Sequence, residues 1–390
     1  LNNLKIVGIT GTNGKTTTAF LIYHLLKKMG KKASLIGTIK YIVGSKSYKA
    51  KLTTPGFVDL CKVLQKIKDV GSNFVVIEVS SHGLIQDRIK GLKFSRCLFT
   101  NLSRDHLDYH KTMKNYFNAK KKLFFSQKCS VSLINIDDYY GKKIFRGLNK
   151  ALSFGIDSTA DIRAENIVLE KKGSYFEIIS SRRHYPVKTH LCGRFNVLNI
   201  LGAVGLVSSL GFPLADLVKA VSSFKPPAGR LEPVAADIFI DYAHTPDALT
   251  NVLECLRESG YEKIICLFGC GGDRDRGKRQ LMGKVASLKA DFTFITSDNP
   301  RSENPLSICS QIKKGFKNNN YVVIVDRYKA IKKGMKFFHQ NKTSNSVYAK
   351  ASAGRSCFLI AGKGHEDCQI IKGKRIPFND KEIVRGFLEK

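Results

Sequence analysis

The stretch Lys5-Ile-Val-Gly-Ile-Thr-Gly-Thr-Asn-Gly-Lys-Thr-Thr-Thr18 decides how this chain is read. Ile6, Val7 and Ile9 make a short apolar run that reads as a buried strand. A glycine-rich turn from Gly11 through Thr12 and Asn13 to Gly14 follows it. Lys15, Thr16 and Thr17 then open a helix-like run to Met29, with Gly30 placed to end it. Strand, loop and helix in this order are what a phosphate-binding loop requires. Backbone N–H groups at the helix N-terminus face anionic oxygens, the lysine adds a mobile positive charge, and a hydroxyl can ligate Mg²⁺. The spacing is shorter than the usual form, which has a glycine where this chain has Ile9. Alone, such a turn is only a turn. The flanking strand and helix, with Lys-Thr in register, make nucleotide phosphate the expected ligand.

Working outward, 390 residues are enough for two domains with separate cores. Short apolar runs alternating with helical patterns predict an α/β architecture. Lysine and arginine number 65 against 32 acidic residues, a formal charge of +33. The basic residues are dispersed, as in Lys27-Lys28, Lys120-Lys121-Lys122, Lys171-Lys172 and Lys332-Lys333, without interleaved aromatics. This reads as a lysine-rich surface that favours anionic partners, and no nucleic-acid partner is expected. The ten cysteines form no C-x-x-C pair, Cys266 and Cys270 being nearest, so they read as buried thiols in a reducing cytoplasm. No apolar run suits a bilayer span and no signal-peptide pattern opens the chain, so no membrane insertion is expected.

Further along, Leu52-Thr-Thr-Pro-Gly56 follows a hairpin-like Lys/Tyr segment. Phe74 to Val79 is a nearly continuous apolar run interrupted by Glu78, at the strand end where open α/β sheets bind ligands. Such a glutamate either meets a bound cation or pairs with a lysine. A second strand end presents Asn101, Asp105, His106, Asp108 and His110, which suit a metal or phosphate site or a solvated loop. Met113 to Phe125 reads as a helix, and Leu133 to Ile136 as a strand. Residues 151–192 read as a β-rich insertion or hairpins. Gly193 opens a long apolar helix through Gly211, and Lys225-Pro-Pro-Ala-Gly-Arg230 is the clearest boundary in the chain. Beyond it, strands are predicted at Ile238–Asp241, Ile264–Phe268, Phe292–Thr296, Val322–Val325 and Phe358–Ala361. Four of them end in polar or glycine-rich loops: Asp241-Tyr-Ala-His244, Gly269 to Asp275, Ser297-Asp-Asn-Pro-Arg301 and Gly362-Lys-Gly-His-Glu366. Polar ends in register predict one ligand-facing edge of a Rossmann-like sheet.

Taken together, Glu78-Val-Ser-Ser-His-Gly-Leu84, Thr100-Asn-Leu-Ser-Arg-Asp-His-Leu-Asp-Tyr-His110 and Asp241-Tyr-Ala-His-Thr-Pro-Asp247 resemble the Mur ligases. These are ATP-dependent amide-forming enzymes of peptidoglycan synthesis, and the likeness runs from the phosphate loop to Glu366. It is strongest to the branch that adds the third peptide residue to UDP-N-acetylmuramoyl-L-Ala-D-Glu. The resemblance implies a P-loop ATP-binding central domain with a mostly parallel sheet over residues 1–228. A Rossmann-like amino-acid-binding domain would follow over 229–390.

The resemblance also implies roles. Gly11, Thr12, Asn13, Gly14, Lys15, Thr16 and Thr17 would hold the ATP phosphates, with Asn101, Asn196, Arg230 and Asp241 also at the nucleotide. Thr16 and Glu78 would hold one Mg²⁺, with Glu78 and His106 near a second. Lys120, otherwise an ordinary surface charge, matches a lysine that carries a CO₂-derived carbamate and thereby becomes a metal ligand. Lys15, Lys120 and His106 are the implied catalytic residues. Thr53, Thr54, Ser80, Gln86 and Arg88 match the muramyl-dipeptide contacts, while Leu52 stands where a polar asparagine is usual. Asp298, Asn299, Pro300 and Arg301 match the motif for meso-diaminopimelate. Arg301 would hold the distal carboxylate that lysine lacks, Glu366 the distal ammonium, and Arg279 and Gly362 further contacts.

Relatives begin with a small domain that grips uridine, whereas this chain opens at the phosphate-loop strand with Leu1. The expectation is a fragment of a longer protein with a weakened hold on the UDP-linked substrate, acting as a monomer. Three rivals stand beside this reading: the same ligase adding L-lysine, a folylpolyglutamate-synthetase-like ligase, and a basic nucleic-acid binder.

Overall fold

Val7 and Ile9 point into one apolar core and Gly8 to the opposite face, where a Cβ would lie 2.7 Å from the Phe94 ring. This period of two makes Lys5–Thr10 a strand covered on both sides. The structure is a computed structural model that describes residues 4–343 and 355–389; Leu1 lies outside them. It divides into two compact units, Leu1–Ser103 with His110–Lys225, and Arg104–Tyr109 with Pro226–Lys390.

The first unit holds β1 (Lys5–Thr10), β2 (Ala33–Ile36), β3 (Lys40–Val43), β4 (Lys46–Lys49), β5 (Phe74–Glu78) and β6 (Lys93–Phe99). β7 (Lys128–Asn135), β8 (Ala151–Gly155), β9 (Ile162–Glu170), β10 (Gly173–Ser180) and β11 (Arg183–Thr189) complete it. They form one sheet in the order β11-β10-β9-β8-β7-β6-β1-β5-β2-β3-β4. Pairing is parallel from β2 to β9, with antiparallel hairpins at both edges. The sheet is therefore mostly parallel, as expected. One refinement concerns residues 151–192. Ala151–Gly155 is not an insertion, because it pairs parallel to β7 and extends the main sheet before the hairpins begin.

Helix Lys15–Lys28 packs with helix Arg194–Ser208 over one face, through Leu21, Ile22, Leu25, Val197, Ile200 and Val204. Ile9 and Glu78 are partners in the β1–β5 register, so the phosphate loop and the glutamate leave the sheet at the same edge. That shared edge sets up the site.

The second unit's sheet comprises β12 (Glu232–Ala235), β13 (Ile238–Asp241), β14 (Lys263–Phe268), β15 (Phe292–Ile295), β16 (Tyr321–Val323) and β17 (Ser356–Ala361). Their order is β12-β13-β17-β14-β15-β16, parallel except for β12. Ala330, Ile331, Met335 and Phe338 of helix Arg327–Thr343 close its core against Ile265, Leu267, Phe294 and Ile360. A hairpin of β18 (Cys368–Ile371) and β19 (Lys374–Pro377) follows, which the sequence pattern did not reveal. Asp241 pairs with Ala361 and Phe268 with Ile295, so the four polar loops leave one edge of this sheet.

Candidate active site

Gly11 and Gly14 have φ of 150° and 84°. A Cβ on Gly11 would lie 1.8 Å from Thr100 Oγ1, and one on Gly14 would lie 2.3 Å from Asn199 Oδ1. Both the backbone conformation and the close approach therefore require glycine. Asn101 shapes the loop from the end of β6. Its carbonyl accepts from the Thr12 N–H and its Oδ1 from the Asn13 N–H, both at 2.9 Å. Lys15 Nζ folds back onto the Gly11 and Thr12 carbonyls at 2.8 Å, within the loop that it would serve. Asn199 is a support that sequence reasoning missed. It accepts from Thr18 and donates to Asn196 Oδ1 at 3.0 Å, tying the loop helix to the Gly193 helix.

Glu78 is fully buried. Its Oε2 accepts from Thr16 Oγ1 at 2.9 Å and Thr38 Oγ1 at 2.8 Å, while Oε1 accepts from the Thr38 N–H at 2.9 Å. No lysine or arginine pairs with it among the described residues. The alternative of a lysine partner is thus replaced by hydroxyls, one of them the loop's own Thr16. Hard oxygen donors of this kind suit Mg²⁺. Among the described residues no group of three or more His, Cys, Asp or Glu side chains is arranged to hold a metal ion by itself.

Lys120 is the surprise of the helix Met113–Phe125. It is 1% exposed, with Nζ donating to the Gly11 carbonyl at 2.7 Å and lying 4.7 Å from the Tyr116 ring centre. A lysine that composition would leave in solvent is buried against the phosphate loop.

The five expected dipeptide residues form one cluster. Thr53 Oγ1 meets Thr38 Oγ1 at 3.1 Å, and Thr54 Oγ1 donates to the Glu78 carbonyl at 2.8 Å. The Ser80 N–H donates to Thr54 Oγ1 at 3.0 Å. Arg88 donates to the Thr54 carbonyl at 2.8 Å and to Gln86 Oε1. Leu52 is exposed.

The second strand-end group is split. Asn101 serves the loop, and His110 is buried with Nε2 2.9 Å from Ser81 Oγ. Asp105 and His106 belong to the second unit. Asp105 is buried, with Lys278 Nζ at 3.4 Å, His106 Nε2 at 3.3 Å and His244 Nε2 at 3.6 Å. Burial alone would raise its pKa, but these three neighbours hold it well below the usual carboxylate range. Lys278 carried no sequence signal of its own.

At the other strand ends, Asn299 Nδ2 donates to Glu366 Oε2 at 2.8 Å, and Arg301 Nη1 donates to the Gly272 carbonyl at 2.7 Å. Arg301 adopts φ 51°, a conformation that non-glycine residues rarely adopt. Burial and the neighbouring Arg274 lower its pKa. A cation made less comfortable in this way welcomes an anion. Gly362 has φ 107°, and a Cβ there would meet Asp298 Oδ2 at 2.7 Å.

Arg279, expected at the diaminopimelate site, lies in the helix that follows the Gly271 loop. Its guanidinium is fully buried, with Nη1 and Nη2 donating to both Glu303 oxygens at 2.8 Å and to Gln311 and the Gly271 carbonyl, while Nε has no hydrogen-bond partner among the described residues. Through Nη2 it supports the Gly271 loop. Arg274, beside Arg301 across Gly271, is the more exposed cation. A linear motif cannot say which of two nearby arginines turns inward.

Asp241 accepts from the Leu231 and Ala243 N–H groups at 2.6 Å, and burial raises its pKa against the pull of Arg230. Arg230 lies 4.6 Å from the Tyr242 ring centre. The sequence pattern of the Mur ligase middle domain matches residues 9–207, and that of the Mur ligase glutamate ligase domain matches 229–345.

The chain belongs to the Mur ligase family. It is 39% identical over 395 residues to a Clostridium botulinum UDP-N-acetylmuramoyl-L-alanyl-D-glutamate–2,6-diaminopimelate ligase, covering 100% of this chain and 78% of that protein. An Aquifex aeolicus ligase of the same description is 41% identical, covering 99% and 77%. A solved structure of a ligase so described superposes with a TM-score of 0.66 at 35% identity, covering 99% of this chain and 78% of the other. A Mycobacterium tuberculosis folylpolyglutamate synthase gives a TM-score of 0.75 at 15% identity, covering 92% and 88%; that likeness shows the shared Mur ligase fold alone.

Proposed function

We propose that this Mur ligase joins meso-diaminopimelate to the D-glutamyl side-chain carboxylate of UDP-N-acetylmuramoyl-L-Ala-D-Glu. ATP becomes ADP and phosphate, as in the MurE branch of peptidoglycan synthesis. The observation that carries the choice of amine is the Asp298–Arg301 turn, with Asn299 bonded to Glu366 at 2.8 Å. It gives an arginine for a distal carboxylate and a glutamate for a distal ammonium on two strand ends at one edge of the same sheet.

In this reading, residues 1–228 bind ATP and residues 229–390 take the amino acid. N–H groups of Gly11 to Thr17 hold the phosphates, and Lys15 exchanges its contacts with the Gly11 and Thr12 carbonyls for phosphate oxygens. Asn101 and Asn196, with Arg230 and Asp241, serve the nucleotide. Thr16, Glu78, His106 and Lys120 would hold Mg²⁺, Lys120 as a carbamate formed on the Nζ that lies 2.7 Å from the Gly11 carbonyl oxygen. When bound, Mg²⁺ neutralises and aligns the phosphoryl oxygens.

Thr53, Thr54, Ser80, Gln86 and Arg88 orient the dipeptide so that its carboxylate attacks the terminal phosphorus, giving an acyl phosphate and ADP. The amine of diaminopimelate then attacks the acyl carbon, loses its proton, and phosphate leaves from the tetrahedral intermediate. Arg301, Asn299, Asp298 and Glu366 fix that amine's distal end, with Arg274 beside them. Pro300 and Gly362 shape the turn, and Arg279 acts through Glu303.

The enzyme works as a monomer in the cytoplasm. Its free cysteines suit a reducing compartment, and no described helix is long and apolar enough to cross a membrane. ADP release with UDP-N-acetylmuramoyl-L-Ala-D-Glu tests the reading. It should depend on meso-diaminopimelate, with L-lysine and the no-amine control near background. Equal turnover with L-lysine would sink the assignment of the amine.

A further inference from the structure

Lys363 is fully buried, and its ammonium uses all three N–H donors inside the protein. Nζ donates to the Cys368 carbonyl at 2.7 Å, to Glu366 Oε2 at 2.8 Å and to Asn299 Oδ1 at 3.2 Å. Asn299 Oδ1 also accepts from the Ile370 N–H at 2.9 Å, and Asn299 Nδ2 donates to the same Glu366 Oε2 at 2.8 Å. The two donors on Asn299 Oδ1 leave its amide one orientation, with Nδ2 toward Glu366. Both donors to Glu366 land on Oε2. Oε1 takes no hydrogen bond within the described residues, and the side chain is 29% exposed. One oxygen is anchored from the interior, and the other remains for a ligand.

We infer that Lys363 is the positioning residue of the subsite for the substrate's distal ammonium. It fixes the amide of Asn299 and one oxygen of Glu366, so that Glu366 Oε1 is held ready for an N–H of the incoming diamino acid. This rests on the proposal that Glu366 takes that ammonium. A buried ammonium is costly unless its partners are well placed. Here the partners are the two side chains assigned to diaminopimelate, together with the carbonyl that opens β18. Arg301 is a Coulombic neighbour of Glu366, so the pair matches a zwitterionic end group.

The test measures KM and kcat for Lys363→Met, Glu366→Gln and the double variant in the full chain. The amines are meso-diaminopimelate and 2-aminopimelate, which keeps the distal carboxylate but lacks the distal ammonium. Lys363→Met should raise KM for diaminopimelate about tenfold or more, the size expected for losing a charge-assisted contact. KM for 2-aminopimelate and for ATP should stay within about twofold, and kcat within about threefold. The double variant should match Glu366→Gln, because Lys363 acts through Glu366.

Equal losses with both amines, or no loss with either, would overturn the inference and leave Lys363 a packing residue. An unchanged KM for diaminopimelate in Glu366→Gln would instead remove the underlying assignment of Glu366. If Lys363→Met fails to fold, the double variant, which leaves no unpaired carboxylate, carries the comparison. A double variant that loses 2-aminopimelate binding while Glu366→Gln does not would count against the positioning role.

Discussion

Arg327 meets Asp380 through two hydrogen bonds, Nε to Oδ1 at 2.9 Å and Nη2 to Oδ2 at 2.7 Å, with neither side chain exposed to solvent. The same guanidinium donates to the Ala361 carbonyl at 3.0 Å and the Ser297 carbonyl at 3.5 Å. Those residues immediately precede Gly362 and Asp298. A buried ion pair thus clamps the roots of two loops assigned to the amino-acid substrate.

Removing one partner leaves a buried charge without compensation. Asp380→Asn should destabilise the second unit by about 3–5 kcal/mol. Replacing both residues with apolar ones of similar volume should restore most of that stability. It should not restore diaminopimelate binding, because the carbonyl clamps go with Arg327. Urea unfolding and KM for the amine measure the two effects separately. Recovery of both in the double variant would show that the clamps do not matter.

Glu303 gives a pH dependence of known sign. The hydrogen bond from Arg279 holds its pKa near 2, against an ordinary value of 4.5. The stabilisation is fully present above pH 4.5 and is lost as pH falls toward 2. Glu303→Gln should remove that part of the acid sensitivity, and at neutral pH it should lower stability because Arg279 remains buried without its counter-ion. Denaturant midpoints across pH 2–7 would reveal this. A Glu303→Gln curve parallel to that of the parent would refute it.

The framework was open to a reader of the sequence because burial on both faces leaves unbroken apolar runs. Phe74–Glu78, Phe292–Ile295 and Ser356–Ala361 each end where charge begins, and those ends carry the candidate site. Supporting residues were hidden because they act across long sequence separations. Thr38 and Glu78 are 40 positions apart, Lys363 and Asn299 are 64, and Thr18 and Asn199 are 181. None of these supports forms a local motif. The same limit explains Arg279 and Arg274. They lie in one basic run, and only the fold shows that the first turns inward to Glu303. Thr53, Thr54, Ser80, Gln86 and Arg88 were legible only through resemblance to a family, since threonines before a proline look like any turn.

Glu78 sets stability against activity. In the protein alone it is a buried carboxylate supported by three hydrogen bonds and no cation among the described residues. Glu78→Gln should therefore unfold at the same denaturant concentration as the parent or a higher one, since a desolvated charge is removed. ADP formation should fall about a hundredfold or more, in keeping with the loss of a group that orders phosphoryl charge. Mg²⁺ with a non-hydrolysable ATP analogue should raise the parent's melting temperature and leave that of the variant unchanged. An equal shift in both would remove Glu78 from the metal site.

Arg301 should decide between the two amines. Its guanidinium is held by the Gly272 and Asn299 carbonyls and crowded by Arg274, so one more anion nearby is favourable. Diaminopimelate brings a distal carboxylate there and L-lysine does not. Arg301→Ala should cost diaminopimelate about 2–4 kcal/mol in kcat/KM, a factor of roughly 30 to 1000, while L-lysine changes little. Arg301→Lys should recover only part of the loss, because an ammonium cannot offer the two parallel N–H bonds of the guanidinium fork. Competition between the two amines in one reaction gives the ratio directly. If Arg301→Ala depresses both amines equally, the residue holds the loop rather than the carboxylate, and selectivity must come from another cation such as Arg274.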